Sequence, residues 1–377
     1  MLTLDGLRGI AAFCVMTYHF KGSIDTGLFF PKSYLAVDLF FLMSGLVIAR
    51  SYENNLISGK LTLPSFIWKR FLRLWPLYIG GTALLAAYFI VRNHLSPAER
   101  IDEIKVLETF AVSFFFLPQF LWPQSYFGTA STGLYPLNPA AWSLGLELLA
   151  NLVYGIAYFR MSNKCLLAIV GTAAACLALA GLEKDSLDFG SSLKSIDLGT
   201  LRILFSFTLG VLFHRWLRDG VFSVGSRLPS PGVLMLLGTA LLVVPAPAEG
   251  VISAVFDMAC VFILFPALVW AAAQTEPKAK WAAFSALSGR TSYAIYILHG
   301  PCFMVLAGLG KILFHAAPEQ LKPYSGLSFA AIVLLASYAA TRWYDEPFRN
   351  LASQIIRSLK AEKPVAVDAA EGMREEA

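Results

Sequence analysis

Long apolar runs alternate with short polar breaks along the whole chain. The runs fall near 6–20, 34–50, 74–91, 106–121, 141–159, 165–182, 198–213, 231–248, 251–273, 291–314 and 326–343. Ten of them approach or reach the roughly 17 to 25 residues that an α-helix needs to cross a bilayer. The run at 106–121 is short, carries Glu108 and contains Pro118, so it is expected to dip into the membrane and return. The pattern predicts an all-α, polytopic membrane helical bundle of about ten transmembrane helices plus a re-entrant segment at 106–121. One membrane domain is expected over 1–357. A polar, disordered cytoplasmic tail is expected over 358–377.

Composition sharpens this picture. Hydrophobic residues make up 57% of the chain and charged residues 15%, with a mean hydropathy of +0.62. Soluble domains are about 45–50% apolar and about 25% charged, so the lipid bilayer is the expected partner. A net charge of +5 could suggest nucleic acid, but the basic residues sit at span ends rather than on one soluble face. With ten spans, nineteen of the 30 Lys and Arg lie on the side that holds both termini and nine on the other. The positive-inside rule then predicts a multi-pass protein of the inner (plasma) membrane with both termini cytoplasmic, and no role with nucleic acid. Asp5 and Arg8 interrupt the first run, so no secretory signal peptide is expected. The five cysteines lie in apolar stretches without C-x-x-C spacing. They are expected to be inert buried thiols, and no metal site is expected.

Ionisable residues inside spans mark functional cavities by default, because lipid penalises them. Arg8 and His19 share the first run, eleven residues apart. That is close to three helical turns, which puts both on one face about 16 Å apart in height. Under the predicted topology His19, Asp38 and Glu147 fall in the outer half of the membrane, with Asp38 placed to orient the His19 imidazole as a general base. Arg8 falls in the inner half, and Lys69, Arg70 and Arg73 cluster at the cytoplasmic face. Two guanidinium forks at R-x-x-R spacing suit phosphate, although juxtamembrane KR-x-x-R also serves as a topology signal or lipid anchor. Trp142, Ser143 and His299 are the candidates for substrate contact, with helix–helix hydrogen bonding the other reading of His299. Arg202 is read as a structural ion pair or a donor-site contact, and Asp257 has no evident partner. Trp68, Trp75, Trp122 and Trp142 suit an interfacial aromatic belt. Glu346 before Pro347 is expected to end the last span.

Six segments in order resemble the membrane acyltransferases of the acyltransferase 3 family. They are LDGLRGIAAFCVMTYH (Leu4 to His19), VDLFFLMSG (Val37 to Gly45), KRFLRLWP (Lys69 to Pro76), WSLGLE (Trp142 to Glu147), SYAIYILH (Ser292 to His299) and DEPFR (Asp345 to Arg349). The resemblance implies transfer of an acyl group, commonly acetyl, from cytoplasmic acyl-CoA to a hydroxyl of a sugar, polysaccharide or glycolipid at the outer side. It further implies that His19 is the catalytic His, that Arg8 is its partner in the motif, and that Arg70 and Arg73 meet the CoA phosphates. Asp38 and Glu147 match acidic positions of the pattern. Asp345 stands where many members are apolar, and Gly145 where Ala or Val is usual. No hydrolase-like domain is expected after the last span. The rival from another class is a transporter or permease of a sugar-linked or lipid-linked substrate, with Arg8, His19 and Glu147 as a proton relay.

Overall fold

The computed structural model describes residues 1–20, 22–23, 31–95, 101–119, 133–221, 228–243 and 250–361. Apart from one isolated bridge, Gly133 to Ser192, the described residues contain no β-structure. The helices are α1 (Leu2–His19), α2 (Ala36–Ile57), α3 (Leu63–Leu95), α4 (Glu103–Phe114), α5 (Ala141–Ile156), α6 (Asn163–Lys184), α7 (Ile196–Arg218), α8 (Pro231–Val243), α9 (Val251–Ala259), α10 (Phe265–Ala273), α11 (Ala279–Phe314), α12 (Tyr324–Ala340) and α13 (Glu346–Ala361). Among the described residues, seven helical stretches are long and apolar enough to cross a membrane. Reaching ten requires α5 and α8, which are apolar but shorter, and α1, whose 18 residues include Asp5 and Arg8. Large apolar side chains such as Leu179, Ile252 and Leu335 stand about seven-tenths exposed on the outside of the bundle. Lipid covers such a surface readily, whereas water would not.

Helix α4 has 12 residues, about 18 Å of length, and is too short to cross. Asp102 caps it by accepting from the Ile104 N–H at 3.0 Å. It runs antiparallel to α3, tied at one end by Asn93 Nδ2 donating to the Ile101 carbonyl (2.7 Å) and at the other by Trp75 Nε1 donating to the Phe114 carbonyl (2.8 Å). The chain then turns back, with Phe116 on Tyr78 and the Gln119 N–H on the Leu134 carbonyl. This is the geometry of a segment that dips.

Two parallel helix pairs organise the core. In the first, Gly6 and Gly9 of α1 lie against Ser285 and Ser288 of α11, so close that a Cβ on Gly9 would stand 2.3 Å from the Ser288 Cβ. Small residues at i and i+3 let two backbones approach where lipid supplies no hydrophobic drive. In the second, Gly45 of α2 crosses Gly210 of α7, and a Cβ on Gly45 would stand 2.0 Å from the Phe207 carbonyl oxygen. Helix α3 runs parallel to α11, with Leu74 near Tyr293 and Gly81 near Leu298, while α5 and α12 run antiparallel to it. We call the end where α1, α3 and α11 begin the near end, and the opposite end the far end.

Three expectations change. The last helix does not stop at Glu346. A π-helical turn, Thr341–Asp345, absorbs the backbone bond that Pro347 cannot make, and α13 continues to Ala361, into the stretch expected to be disordered. Cys165 and Cys176 face outward rather than being buried, whereas Cys14, Cys260 and Cys302 are buried. Asp257 has a partner: its carboxylate accepts from Lys32 Nζ (2.9 Å), the Tyr34 hydroxyl (2.6 Å) and the Leu187 N–H (3.0 Å). Trp122, residues 120–121 of the dipping run and the tail over 362–377 lie outside the described residues.

Candidate functional site

A cavity of ≈ 210 Å³ opens between α1, α2, α3, α5 and α11. Helix α2 lines it with a single stripe, Val37, Phe40, Phe41, Ser44, Val47 and Ile48, whose i, i+3, i+4, i+7 spacing is one helical face. Helix α11 contributes Ser292, Tyr293 and Tyr296, and one turn further along the same face stands His299. Three arginines converge on the cavity: Arg8 from α1, and Arg70 and Arg73 from α3. The R-x-x-R spacing therefore does put both forks on one interior-facing side. Lys69, on the adjacent face, is exposed and does not line the cavity.

Each arginine is met by a carboxylate. Arg8 Nη1 donates to Asp5 at 2.9 Å, with Gly289 leaving room for the Asp5 side chain against α11. Arg70 Nη2 donates to Glu147 Oε1 at 3.1 Å, and the Ser44 hydroxyl donates to the same oxygen at 2.7 Å. Arg73 reaches Asp345 at 3.9 Å, beyond hydrogen-bond distance. Of these carboxylates only Glu147 lines the cavity, so three cations face it against one anion. Arg70 Nε is buried without a hydrogen-bond partner. The cavity thus holds spare donors and surplus positive charge, the combination that binds a phosphate-rich anion.

Above Tyr296, toward the far end, the imidazoles of His19 and His299 lie with ring centroids 4.9 Å apart at 43°. His19 Nδ1 contacts the Val15 carbonyl at 2.8 Å, and His299 Nδ1 contacts the Ile295 carbonyl at 3.2 Å. A carbonyl oxygen can only accept, so in the neutral ring each Nδ1 carries the proton and each Nε2 carries the lone pair. Tyr296 joins the two levels: its hydroxyl shares a 2.7 Å hydrogen bond with Ser143, and its ring lies 6.1 Å from His299. Tyr296 thus stands between the cavity, whose lining it closes, and the histidine pair, of which His299 is buried and His19 exposed.

The structure separates residues that the sequence grouped together. Asp38 does not orient His19, because Arg202 holds both of its carboxylate oxygens at 2.6 to 3.2 Å. Arg202 also donates to the Phe189 and Tyr34 carbonyls, which makes it the structural ion pair of the two readings. Glu147 does not share a chamber with His19 either. Helix α5 begins deep in the bundle: Asn138, just before it, faces Gly81 in the middle of α3, and Ser143 is level with Tyr296. Between Ala141 and Glu147 the helix drops to the level of Arg70. Trp142 lies outside the cavity, packed on Phe41 and over the Arg202 guanidinium at 5.8 Å. Ser44, Tyr293 and Tyr296 went unnoticed in the sequence, although Y-x-x-Y-x-x-H in an apolar helix already places Tyr293, Tyr296 and His299 in one stripe.

A polytopic helical protein with a basic cavity beneath paired histidines is the class that fold and site define. The chain belongs to the acyltransferase 3 family: the family's model, described as an acyltransferase domain, matches residues 1–342. It is also similar to "Protein 2 in picA locus" of Rhizobium radiobacter, at 35% identity over 184 residues that cover 48% of this chain and 95% of that protein. No solved structure gives a significant match.

Proposed function

We propose that the protein transfers an acyl group, commonly acetyl, from acyl-CoA to a hydroxyl of a sugar, polysaccharide or glycolipid across the inner membrane. The observation that carries this reading is the basic cavity holding Arg8, Arg70 and Arg73 with the His19–His299 pair just beyond Tyr296 on the far side. Acyl-CoA enters from the near end, which is cytoplasmic under the positive-inside rule. Its phosphates exchange places with the carboxylates on Arg70 and Arg73, and the pantetheine arm follows the α2 and α11 stripes past Arg8. The thioester then reaches Tyr296 and the histidine pair.

There His19 Nε2 takes the proton of the acceptor hydroxyl as its oxygen attacks the thioester carbon. The carbon–sulfur bond breaks, and the proton passes from His19 to the departing CoA sulfur. General-base help of this kind contributes typically about 10² to 10⁴ in rate. The test uses the full-length protein in vesicles with acetyl-CoA labelled in the acetyl group and a set of glycan acceptors. Labelled ester should form in step with free CoA, and His19→Ala should lower the rate at least about a hundredfold with the protein still folded. Acceptor movement without CoA release would establish a transporter instead. Retention of a tenth of the activity by His19→Ala would remove it as the base.

A further inference from the structure

A second cavity, of ≈ 220 Å³, opens at the near end on the other side of α2. Leu46 and Arg50 line it from α2, one turn apart. At about 100° per residue they lie opposite the stripe from Val37 to Ile48 that lines the first cavity. From α7 come His214, Leu217 and Arg218, whose i, i+3, i+4 spacing is one helical face, and Met1 closes the α1 side. Among the described residues no carboxylate lines this cavity. Arg218 is shared between Glu53 at 3.2 Å and Asp219 at 2.8 Å, and Glu53 is also held by Arg215 at 3.0 Å. Arg50 is exposed and, among the described residues, meets neither carboxylate, so the cluster keeps one positive charge over. His214 lies within electrostatic reach of all three arginines, and its Nε2 is buried with no hydrogen-bond partner. A buried nitrogen of this kind needs a partner that the chain does not supply.

We propose that Arg50 and His214, with Arg218 at the edge, form a second anion site that takes a phosphate group. A neutral imidazole carrying its proton on Nε2 donates to one phosphate oxygen, and the Arg50 guanidinium presents its fork to the others. Leu46 and Leu217 stand beside these donors, a mixture that suits the headgroup of a phospholipid in the near leaflet as well as free phosphate. Occupied, the site ties α2 to α7 on the near side of their Gly45–Gly210 crossing. It lies on the opposite face of α2 from Arg8, Arg70 and Arg73 and needs nothing of the acyl-CoA reading.

The chain has five histidines, so ¹⁵N-histidine NMR reads His214 directly, its signal assigned by its loss in His214→Phe. The full-length protein, delipidated in maltoside micelles and assayed as free of phosphorus, is titrated with inorganic phosphate or with phosphatidylglycerol. Potassium chloride at equal ionic strength and diacylglycerol, a lipid without the phosphate, are the controls. The His214 signal should move saturably with a phosphate bearer and stay in place with both controls. Arg50→Gln should weaken that binding about tenfold, the size expected for charge-assisted hydrogen bonds to one group. Arg50→Lys should keep part of it, because Lys retains the charge and loses the fork. Movement with phosphatidylglycerol alone assigns the site to a lipid headgroup, and movement with inorganic phosphate assigns it to the free anion as well. A signal that moves with neither, moves equally with the controls, or keeps its affinity in Arg50→Gln overturns the site. Thermal unfolding identifies a variant that fails to fold, and Arg50→Lys then supplies the comparison.

Discussion

The two parallel helix pairs at the centre of the bundle use the same materials to opposite ends. Both cross on glycines and both carry ionisable side chains, buried along α2 and α7 and only partly buried at Asp5 and Arg8 of α1. Along α2 and α7 the charges meet across the seam: Asp38 with Arg202 on one side of the Gly45–Gly210 crossing, and Glu53 with Arg215 on the other. Glu53 also accepts from Arg218 at 3.2 Å and from the Tyr154 hydroxyl at 3.1 Å. Each carboxylate meets a guanidinium of the facing helix, neighbouring loops and Tyr154 complete their hydrogen bonds, and this pair reads as a frame. Among the described residues, no carboxylate–guanidinium pair joins α1 to α11. Arg8 faces the cavity, His19 and His299 lie tilted against each other with each Nδ1 on its own helix's carbonyl, and the Tyr296 hydroxyl meets Ser143 of α5. An ionisable residue inside a membrane helix is a cue for function, but its partners decide whether it works or only holds.

The strongest way to break the frame is at its crossing. Gly45→Ala or Gly210→Ala places a Cβ about 2 Å from backbone atoms of the facing helix, which cannot move aside as a side chain can. A loss above about 4 kcal/mol is expected, read as absence of monodisperse protein after purification. Next in size is Asp38→Asn, which strands a buried Arg202. Removing one partner of such a pair typically costs about 3–5 kcal/mol. Asp38→Asn combined with Arg202→Met should recover much of that loss in a thermal unfolding measurement, and the folded double variant should keep kcat within severalfold. A hundredfold fall in kcat would return Asp38 to the chemistry that the sequence suggested for it.

The smallest expected effect falls on the working pair's neighbour. Glu147→Gln removes the one carboxylate that lines the cavity among the described residues and frees Arg70, so the KM for acyl-CoA should fall about two- to tenfold, within the range of a partly exposed ion pair. The kcat should change less. A collapse of kcat with KM unchanged would place Glu147 at the reacting atoms and undo the separation of levels drawn between it and His19.

The architecture was legible because span length and apolar content are one-dimensional quantities. The short run with Glu108 and Pro118 already looked unable to cross, and α4 ends after 12 residues. Span direction gives approximate height, so Lys69, Arg70 and Arg73 were grouped at one end and Arg8 set apart, but the cavity gathers Arg8 with Arg70 and Arg73 and leaves Lys69 outside. Rotation about the helix axis and the depth at which a helix starts were not legible. Asp38 has its partner 164 positions away on α7, and no local spacing announces that. Glu147 was placed too high because α5 begins at the level of Gly81, where Asn138 lies, rather than at the far end. The continuation of the last helix through Arg349 was obscured by Pro347, which reads as a stop unless a π-helical turn precedes it.

Helix α1 ends at His19, whereas α11 continues well past His299 to Phe314. On the proposed reading, the first helix is a gauge. Its 18 residues set a stroke of about 27 Å between the donor's mouth and the reacting level, and the glycine–serine seam prevents that stroke from slipping against α11. A thicker bilayer would lengthen only the acceptor's descent. The donor's half of the journey is written into the covalent length of one helix.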